Sequence, residues 1–260
     1  MNSLAQVWEN YRKFADERGW LVITLLKQFT SLEGKNILDF GCGNGGTARC
    51  LSRMGARVTA VDIKPELELF FKDSNINFFN ANNEQSYFMA RRYDIVILQD
   101  VLEHVSAPAQ LLSQVRYSLR PGGWLYISTP NRFSLLNVIS DPHWNLPGVA
   151  LFPRRMVAFL VQDFFHRDLR PRNDLAALLS LNKLTDMLTS NNVEMIFVNT
   201  MVAKILFQNP CAVVCHPLHI KLVRWMRNNR LEKWIYRIVN DRVGFFNTLI
   251  NPTWYIVGRT

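Results

Sequence analysis

The chain has little cysteine, no long apolar run, no internal repeat and no low-complexity tract. Four cysteines among 260 residues, Cys42, Cys50, Cys211 and Cys215, are too few for a disulfide framework, so a reducing, cytoplasmic compartment is expected. Cys211, Cys215, His216 and His219 lie close together, but their spacing fits no common zinc pattern and no metal is expected. No stretch reaches the roughly 18 apolar residues of a spanning helix. The nearest candidate, 205–220, is broken by Gln208, Asn209, Pro210, His216 and Pro217. The first twenty residues carry acids and no apolar h-region, so no secretory signal is expected there.

What is present is a large apolar fraction, 48%, enough for one full domain or one domain with a sizeable insertion. The net charge of +9 is uneven. Residues 201–260 carry nine Lys or Arg against two Asp or Glu, so most of the basic character belongs to the last quarter of the chain.

Short apolar runs recur with helical patterns between them. Leu4 to Phe29 reads as one or two amphipathic helices, with Leu4, Val7, Trp8, Tyr11 and Phe14 at helical spacing. Strands are expected at 35–40, 57–62, 76–79, 93–98 and 124–128, with helices over 45–54 and 108–119. The second helix stops at Arg120-Pro-Gly-Gly. Two further strands are expected at 193–198 and 254–258. This alternation predicts an α/β class chain, a mostly parallel seven-stranded sheet covered on both faces. The intervals 131–180 and 201–252 are too long for plain loops and should be helical insertions or lids. The organisation expected is an N-terminal helical cap over 1–34, a core over 35–200 with its lid at 131–180, a basic helical insertion over 201–252, and a last core strand over 253–260.

The loop Asp39-Phe-Gly41-Cys-Gly43-Asn44-Gly45-Gly46-Thr47 sits between a strand and a helix, where glycines let the backbone turn sharply and approach a ligand. Gly41, Gly43 and Gly46 also satisfy the GxGxxG pattern of NAD sites. Asp39 discriminates: it would repel a pyrophosphate at the helix N-terminus, but suits a ligand bearing an ammonium and a sulfonium. S-adenosylmethionine (SAM) has both. Asp62, 23 residues later, can accept ribose hydroxyls in either case.

Asp39-x-Gly41-x-Gly43-x-Gly45, Asp62, Gln99-Asp-Val-Leu-Glu-His104-Val, Leu119-Arg-Pro-Gly-Gly-Trp and Thr129-Pro-Asn131 occur in that order over about residues 35–131. Together they resemble the class I SAM-dependent methyltransferases, with a Rossmann-like fold, and most closely the ubiquinone-biosynthesis O-methyltransferase branch. The resemblance implies that Asp39, Gly41, Gly43, Asn44 and Gly45 hold the methionine end of the cofactor. It further implies that Asp62 holds the ribose, that Ile63 packs on the adenine and that Gln99 lies near the methionine. Where the family usually has an aspartate against the adenine amine, this chain has Asn82, followed by Asn83. An Asn oxygen can still accept that hydrogen bond.

Methylation of an oxygen needs alignment and loss of a proton, so a positioned base helps. The candidates are His104, which follows Glu103 in the motif at the cleft, and His143, in Asp141-Pro-His-Trp144 of the first insertion; His166 is a third. His143 or Trp144 is also a candidate substrate contact. The Asn/Asp-Pro-Pro-aromatic motif of amino-methylating DNA enzymes does not occur after the fourth strand, nor does a cysteine of the kind that methylation of cytosine carbon needs. Nucleic acid is therefore a disfavoured partner, and the acceptor expected is a small or lipid-linked molecule. The alternatives are a non-catalytic SAM-binding protein and, less favoured, an NAD-dependent oxidoreductase. Residues 217–241 interleave Lys221, Arg224, Arg227, Arg230, Lys233 and Arg237 with Trp and aliphatic residues. The pattern fits two short helices broken near Asn228-Asn229, and an anionic membrane surface is a candidate partner, on the inner face of a membrane.

Overall fold

The computed structural model describes residues 13–64, 76–82, 87, 88, 91–166 and 176–260. Within them a seven-stranded sheet runs β3-β2-β1-β4-β5-β7-β6, formed by β1 (Asn36–Phe40), β2 (Arg57–Asp62), β3 (Ile76–Asn80), β4 (Tyr93–Gln99), β5 (Leu119–Pro130), β6 (Glu194–Phe197) and β7 (Thr253–Arg259). The first five pair in parallel; β7 lies antiparallel to both β5 and β6.

Alternation along each strand builds a core on each face. Ile37, Ile95, Ile97, Tyr126 and Val257 point to one side, and Leu38, Val96, Leu98, Ile127 and Ile256 to the other. The first side is covered by α1 (Ala15–Leu26), α2 (Gly46–Arg53) and, later in the chain, the helix over Asn199–Gln208; the second by α3 (Pro108–Ser118) and the helix over Leu181–Ser190. Pro108 opens α3 at a position where its missing N–H goes unused. Of the long N-terminal pattern, Leu4, Val7, Trp8 and Tyr11 lie outside the described residues; Leu21, Val22, Leu25 and Leu26 of α1 are buried.

β5 is longer than its sequence pattern suggests. Arg120-Pro-Gly-Gly does end the helix, but the chain enters the sheet at once: Leu119 pairs with Tyr93, and the register then shifts so that Trp124 faces Ile95. The glycines absorb the irregularity, with Gly122 at φ +73°.

The segment after β5 contains α4 (Leu135–Ile139) and α5 (Arg154–Phe159), the latter continuing into a π-helical turn over Leu160–Phe164. Trp144, Leu146, Val149, Val157 and Val161 form a small core of their own. Numbering continues with α6 (Leu181–Ser190), α7 (Asn199–Gln208), α8 (Pro217–Asn228) and α9 (Glu232–Ile238). The break expected near Asn228-Asn229 falls between α8 and α9.

Buried asparagines join these segments to the sheet. Asn247 accepts at Oδ1 from Asn199 (2.6 Å) and Asn251 (3.3 Å), and its Nδ2 donates to the carbonyl of Arg242 (2.7 Å). Its own carbonyl accepts from Asn131 and from the Trp254 indole, both at 2.9 Å. Asn137 of α4 donates to the carbonyls of Asn131 and Pro252. The start of the segment after β5, α7 and the approach to β7 are thus clasped at one edge of the sheet.

Candidate functional site

The parallel strands end at one edge, and each contributes a polar residue there. Asp39 ends the buried part of β1, with 1% of its surface exposed. Burial, and then the charge of Asp62, push its carboxyl up to about 7, while a hydrogen bond from the Ala48 backbone pulls the other way. Among the described residues its buried Oδ2 has no hydrogen-bond partner. A buried acceptor left in this state asks for a donor, and a cationic donor most of all.

The glycine loop follows. Gly41, Gly43 and Gly45 all have φ between +49° and +74°, a region where a side chain is strained. A Cβ on Gly43 would meet nothing within 4 Å among the described residues, so the loop is open there. Gly46 has a different job: its Cβ would lie 2.2 Å from the Ala15 carbonyl oxygen, so α1 crosses the start of α2 backbone to backbone. Asn44 offers its carbonyl to Arg49 at 2.6 Å.

Asp62, at the end of β2, accepts from Gly43 N–H at 2.9 Å and Lys64 N–H at 3.2 Å, which fixes the loop beside it. Ile63 is 50% exposed. Asn82 donates its amide to the Ile63 carbonyl at 2.9 Å, which orients its own side-chain oxygen as the group left to accept. Asn83 lies outside the described residues. Gln99, at the end of β4, accepts from the Thr47 hydroxyl of α2 at 2.7 Å. The residues expected to hold SAM, Asn83 apart, therefore border the open ends of β1, β2, β3 and β4. They match it in chemistry: an unpartnered buried carboxylate oxygen, an open glycine turn, a strand-end carboxylate and an exposed apolar side chain.

Two residues that the sequence left without a role complete this edge. Asp100, held at φ +55°, pairs with Arg18 of α1 and accepts from Ser128 at 2.7 Å. Arg18 is 9% exposed and bridges the helix to the strand end. Its signal in the sequence, an arginine among the apolar residues of an N-terminal helix, is faint.

Four residues beyond Gln99, Glu103 is 1% exposed and accepts from Thr129 at 2.9 Å. Its other oxygen lies 3.8 Å from His104 Nε2 and 4.0 Å from His143 Nε2. The imidazoles meet edge to face, with centroids 5.0 Å apart. Burial raises the Glu103 carboxyl, opposed by His104. His143 comes from the segment after β5, where Asp141 accepts from the N–H groups of His143 and Trp144 and so shapes the turn that presents it. The two histidines picked out separately in the sequence are thus brought onto one carboxylate. The sequence clue to Glu103 was an acid directly before His104 and after the apolar pair Val101-Leu102. One donor atom from each of the three lies within 4.8 Å of the others, a spacing a divalent cation can bridge. Trp144 is buried in the small core of the segment after β5, so packing accounts for it. His166 is exposed at the end of the π-helical turn.

Two cysteines adjoin this edge, Cys42 within the glycine loop and Cys215 beside Arg18. Burial holds Cys42 well above the usual thiol range and Cys50 at about 11, which suits neither to nucleophilic attack.

Residues 11–196 match the model of a family described as a methyltransferase domain. A ubiquinone biosynthesis O-methyltransferase from Hydrogenovibrio crunogenus is 34% identical over 119 residues, 43% of this chain and 49% of that protein. One of the same description from Coxiella burnetii is 35% identical over 113 residues, 41% and 48%. The chain thus spans about half the length of the curated relatives it matches. Among solved structures, a SAM-dependent methyltransferase from Mesorhizobium loti superposes with a TM-score of 0.58 at 15% identity, covering 91% of this chain and 96% of that one. A phosphoethanolamine N-methyltransferase from Haemonchus contortus, solved with SAM bound, gives 0.50 at 17%, covering 92% and 51%.

Proposed function

The chain belongs to the methyltransferase-domain family of SAM-dependent proteins, and from that premise we propose that it methylates an oxygen of a small-molecule or lipid-linked acceptor. The observation that carries the acceptor side is the approach of His104 and His143 to one buried carboxylate, Glu103.

SAM, when bound, supplies a methyl group already activated by its sulfonium. The protein's part is to hold, align and deprotonate. Asp39 receives the ammonium at its unpartnered oxygen, and Gly41, Gly43, Asn44 and Gly45 cradle the methionine end beside Gln99. Asp62 accepts the ribose hydroxyls, Ile63 covers the adenine, and the Asn82 oxygen, with Asn83 next to it, accepts from the adenine amine. On the acceptor side, His143 or His104 takes the hydroxyl proton. Glu103 orients the imidazoles and balances the imidazolium that forms. The relatives named as ubiquinone biosynthesis O-methyltransferases support an oxygen acceptor on a small or lipid-linked molecule. A lipid-linked acceptor would meet the chain from the cytoplasmic side, at the inner face of a membrane. We read 1–34 as an N-terminal helical cap, 35–200 as the SAM-binding core with a lid insertion at about 131–180, 201–252 as a basic helical insertion, and 253–260 as the final strand of the core sheet.

The test is release of S-adenosylhomocysteine (SAH) from SAM with a panel of phenols and prenylated phenols, for the wild type, His143→Ala and His104→Ala. We expect turnover with some members, and a loss of at least tenfold in one histidine variant with SAH affinity retained. SAH binding without turnover on any acceptor would favour a non-catalytic SAM-binding role. No SAH binding, with NADH fluorescence altered instead, would favour an oxidoreductase. A chelator that removes activity, restored by a divalent cation, would assign the same three donors to a metal rather than to proton transfer.

A further inference from the structure

α8 buries Ile220 and Val223 against the body, and the Arg227 guanidinium on that same side donates to the Phe207 carbonyl at 3.2 Å. At 100° per residue, Leu218, Leu222 and Trp225 then point the opposite way. They are 66%, 52% and 56% exposed. Lys221 and Arg224 flank that stripe on one side. The pattern continues on α9, where no residue is buried: Trp234 and Ile238 are exposed one turn apart, next to Lys233 and Arg237. The Arg237 guanidinium lies 5.2 Å from the Trp234 ring. A helix buried on one side has no need of leucine and tryptophan on the other. Monomeric soluble proteins rarely keep such contiguous apolar patches without a partner.

We propose that α8 and α9 form a docking surface for an anionic lipid bilayer. The apolar residues enter the boundary between headgroups and acyl chains, and the flanking Lys and Arg pair with lipid phosphates. Charge decides among occupants. Residues 201–260 carry nine cationic side chains against two anionic ones, so a second copy placed face to face would set like charge on like. A nucleic acid would satisfy the cations, but its phosphate backbone leaves Leu218, Leu222 and Ile238 in water. A bilayer with anionic headgroups answers both features.

The surface adjoins the functional edge. Cys215, just before α8, lies against Arg18, which pairs with Asp100 at the end of β4. Asn240, just after α9, is held by Asn199 of the asparagine clasp. Docking therefore brings the open edge of the sheet to the lipid, where a lipid-linked acceptor would be found. That consequence rests on the methyl-transfer reading; the surface itself does not.

The experiment is sedimentation of the full chain with vesicles of phosphatidylcholine alone and with about 30 mol% phosphatidylglycerol, in low salt. The variants are Trp225→Ala/Trp234→Ala and Lys221→Glu/Arg224→Glu. Both change exposed side chains, and retained SAH binding checks their folding. The wild type should sediment with the anionic vesicles and not with the neutral ones. Each double variant should lose at least tenfold in partition coefficient. Failure of the wild type to sediment with anionic vesicles overturns the proposal. So does binding that survives the tryptophan variant while short duplex RNA competes it away, which would mark a phosphate-backbone site. Self-association at micromolar concentration, abolished by the tryptophan variant and unaffected by lipid, would assign the face to a second copy. Because sedimentation needs no turnover, failure of the surface and failure of the catalytic reading are told apart.

Discussion

Asp39 carries a proton at a pH where most aspartates have long since lost theirs. Its carboxyl is raised from 3.8 to about 7, first by burial and then by Asp62. The folded chain therefore holds this proton more tightly than the unfolded one. By linkage, the side chain lowers the stability of the ligand-free protein progressively as pH rises from about 4 to about 7, and no further above that. A cationic ligand reverses the preference, because only the ionised carboxylate pairs with an ammonium. SAH affinity should thus rise with pH through this window, by about tenfold between pH 6 and pH 8. Calorimetry below pH 7, in buffers of different ionisation enthalpy, should show one proton released per SAH bound. Asp39→Asn should bind poorly at every pH and melt roughly 5 °C higher than the ligand-free wild type at pH 8. A wild-type affinity flat across pH 6–8 would mean that Asp39 is already ionised in the free protein.

The elements around this residue separate stability from binding. Gly43 and Gly46 belong to one loop, but their surroundings differ. A Cβ on Gly43 finds nothing within 4 Å among the described residues, and only the positive φ opposes it. Gly43→Ala should therefore cost about 1 kcal/mol of stability, yet weaken SAH at least tenfold, because the methyl projects where the ligand must lie. Gly46→Ala drives its methyl onto the Ala15 carbonyl, against backbone that cannot rotate away. It should cost more than 2 kcal/mol, measured by urea unfolding, and weaken binding as α1 is displaced. The asparagine clasp answers to the same logic. Asn247→Leu removes the acceptor shared by the Asn199 and Asn251 amides and leaves buried donors behind, a loss of about 1–3 kcal/mol for each. A destabilisation under 1 kcal/mol would show that the clasp can be re-satisfied. Only part of this was visible in the sequence. The glycine pattern could be read as a ligand loop, because φ and close approach leave a mark on residue type. It could not show that Gly46 serves α1, nor that five asparagines spread over 120 positions meet, since each alone reads as a turn or cap residue.

At the scale of the whole molecule, legibility follows the range of the interaction. The strands and helices of the first half announced themselves as short apolar runs separated by helical patterns, whereas their order along the sheet comes only from the fold. The polar edge proposed for the cofactor could be read for the same reason, since Asp39, Asp62 and Gln99 each sit at or next to a strand end. The acceptor edge was only half legible. His104 and His143 stood out singly, but their meeting at Glu103 depends on how the segment after β5 folds back, and no local pattern encodes that. α1 was visible as a helix and not as a part of the site, although its leucines belong to the main core and its Arg18 reaches Asp100. That double membership has a thermodynamic consequence. If α1 is held both by the core and by the edge of the ligand site, it cannot open without the rest, and ligand binding must stabilise the whole chain in one cooperative step. SAH at about a hundred times its dissociation constant should add about 2.7 kcal/mol, a rise of roughly 5–10 °C in melting temperature for a domain this size. The transition should stay single, with near- and far-ultraviolet dichroism coincident, and NADH at the same concentration should leave it unmoved. A second, ligand-sensitive transition below the main one would show α1 to be a separately melting cap. Arg18→Met should then shift that lower transition alone, whereas in a single cooperative unit it lowers the only transition there is.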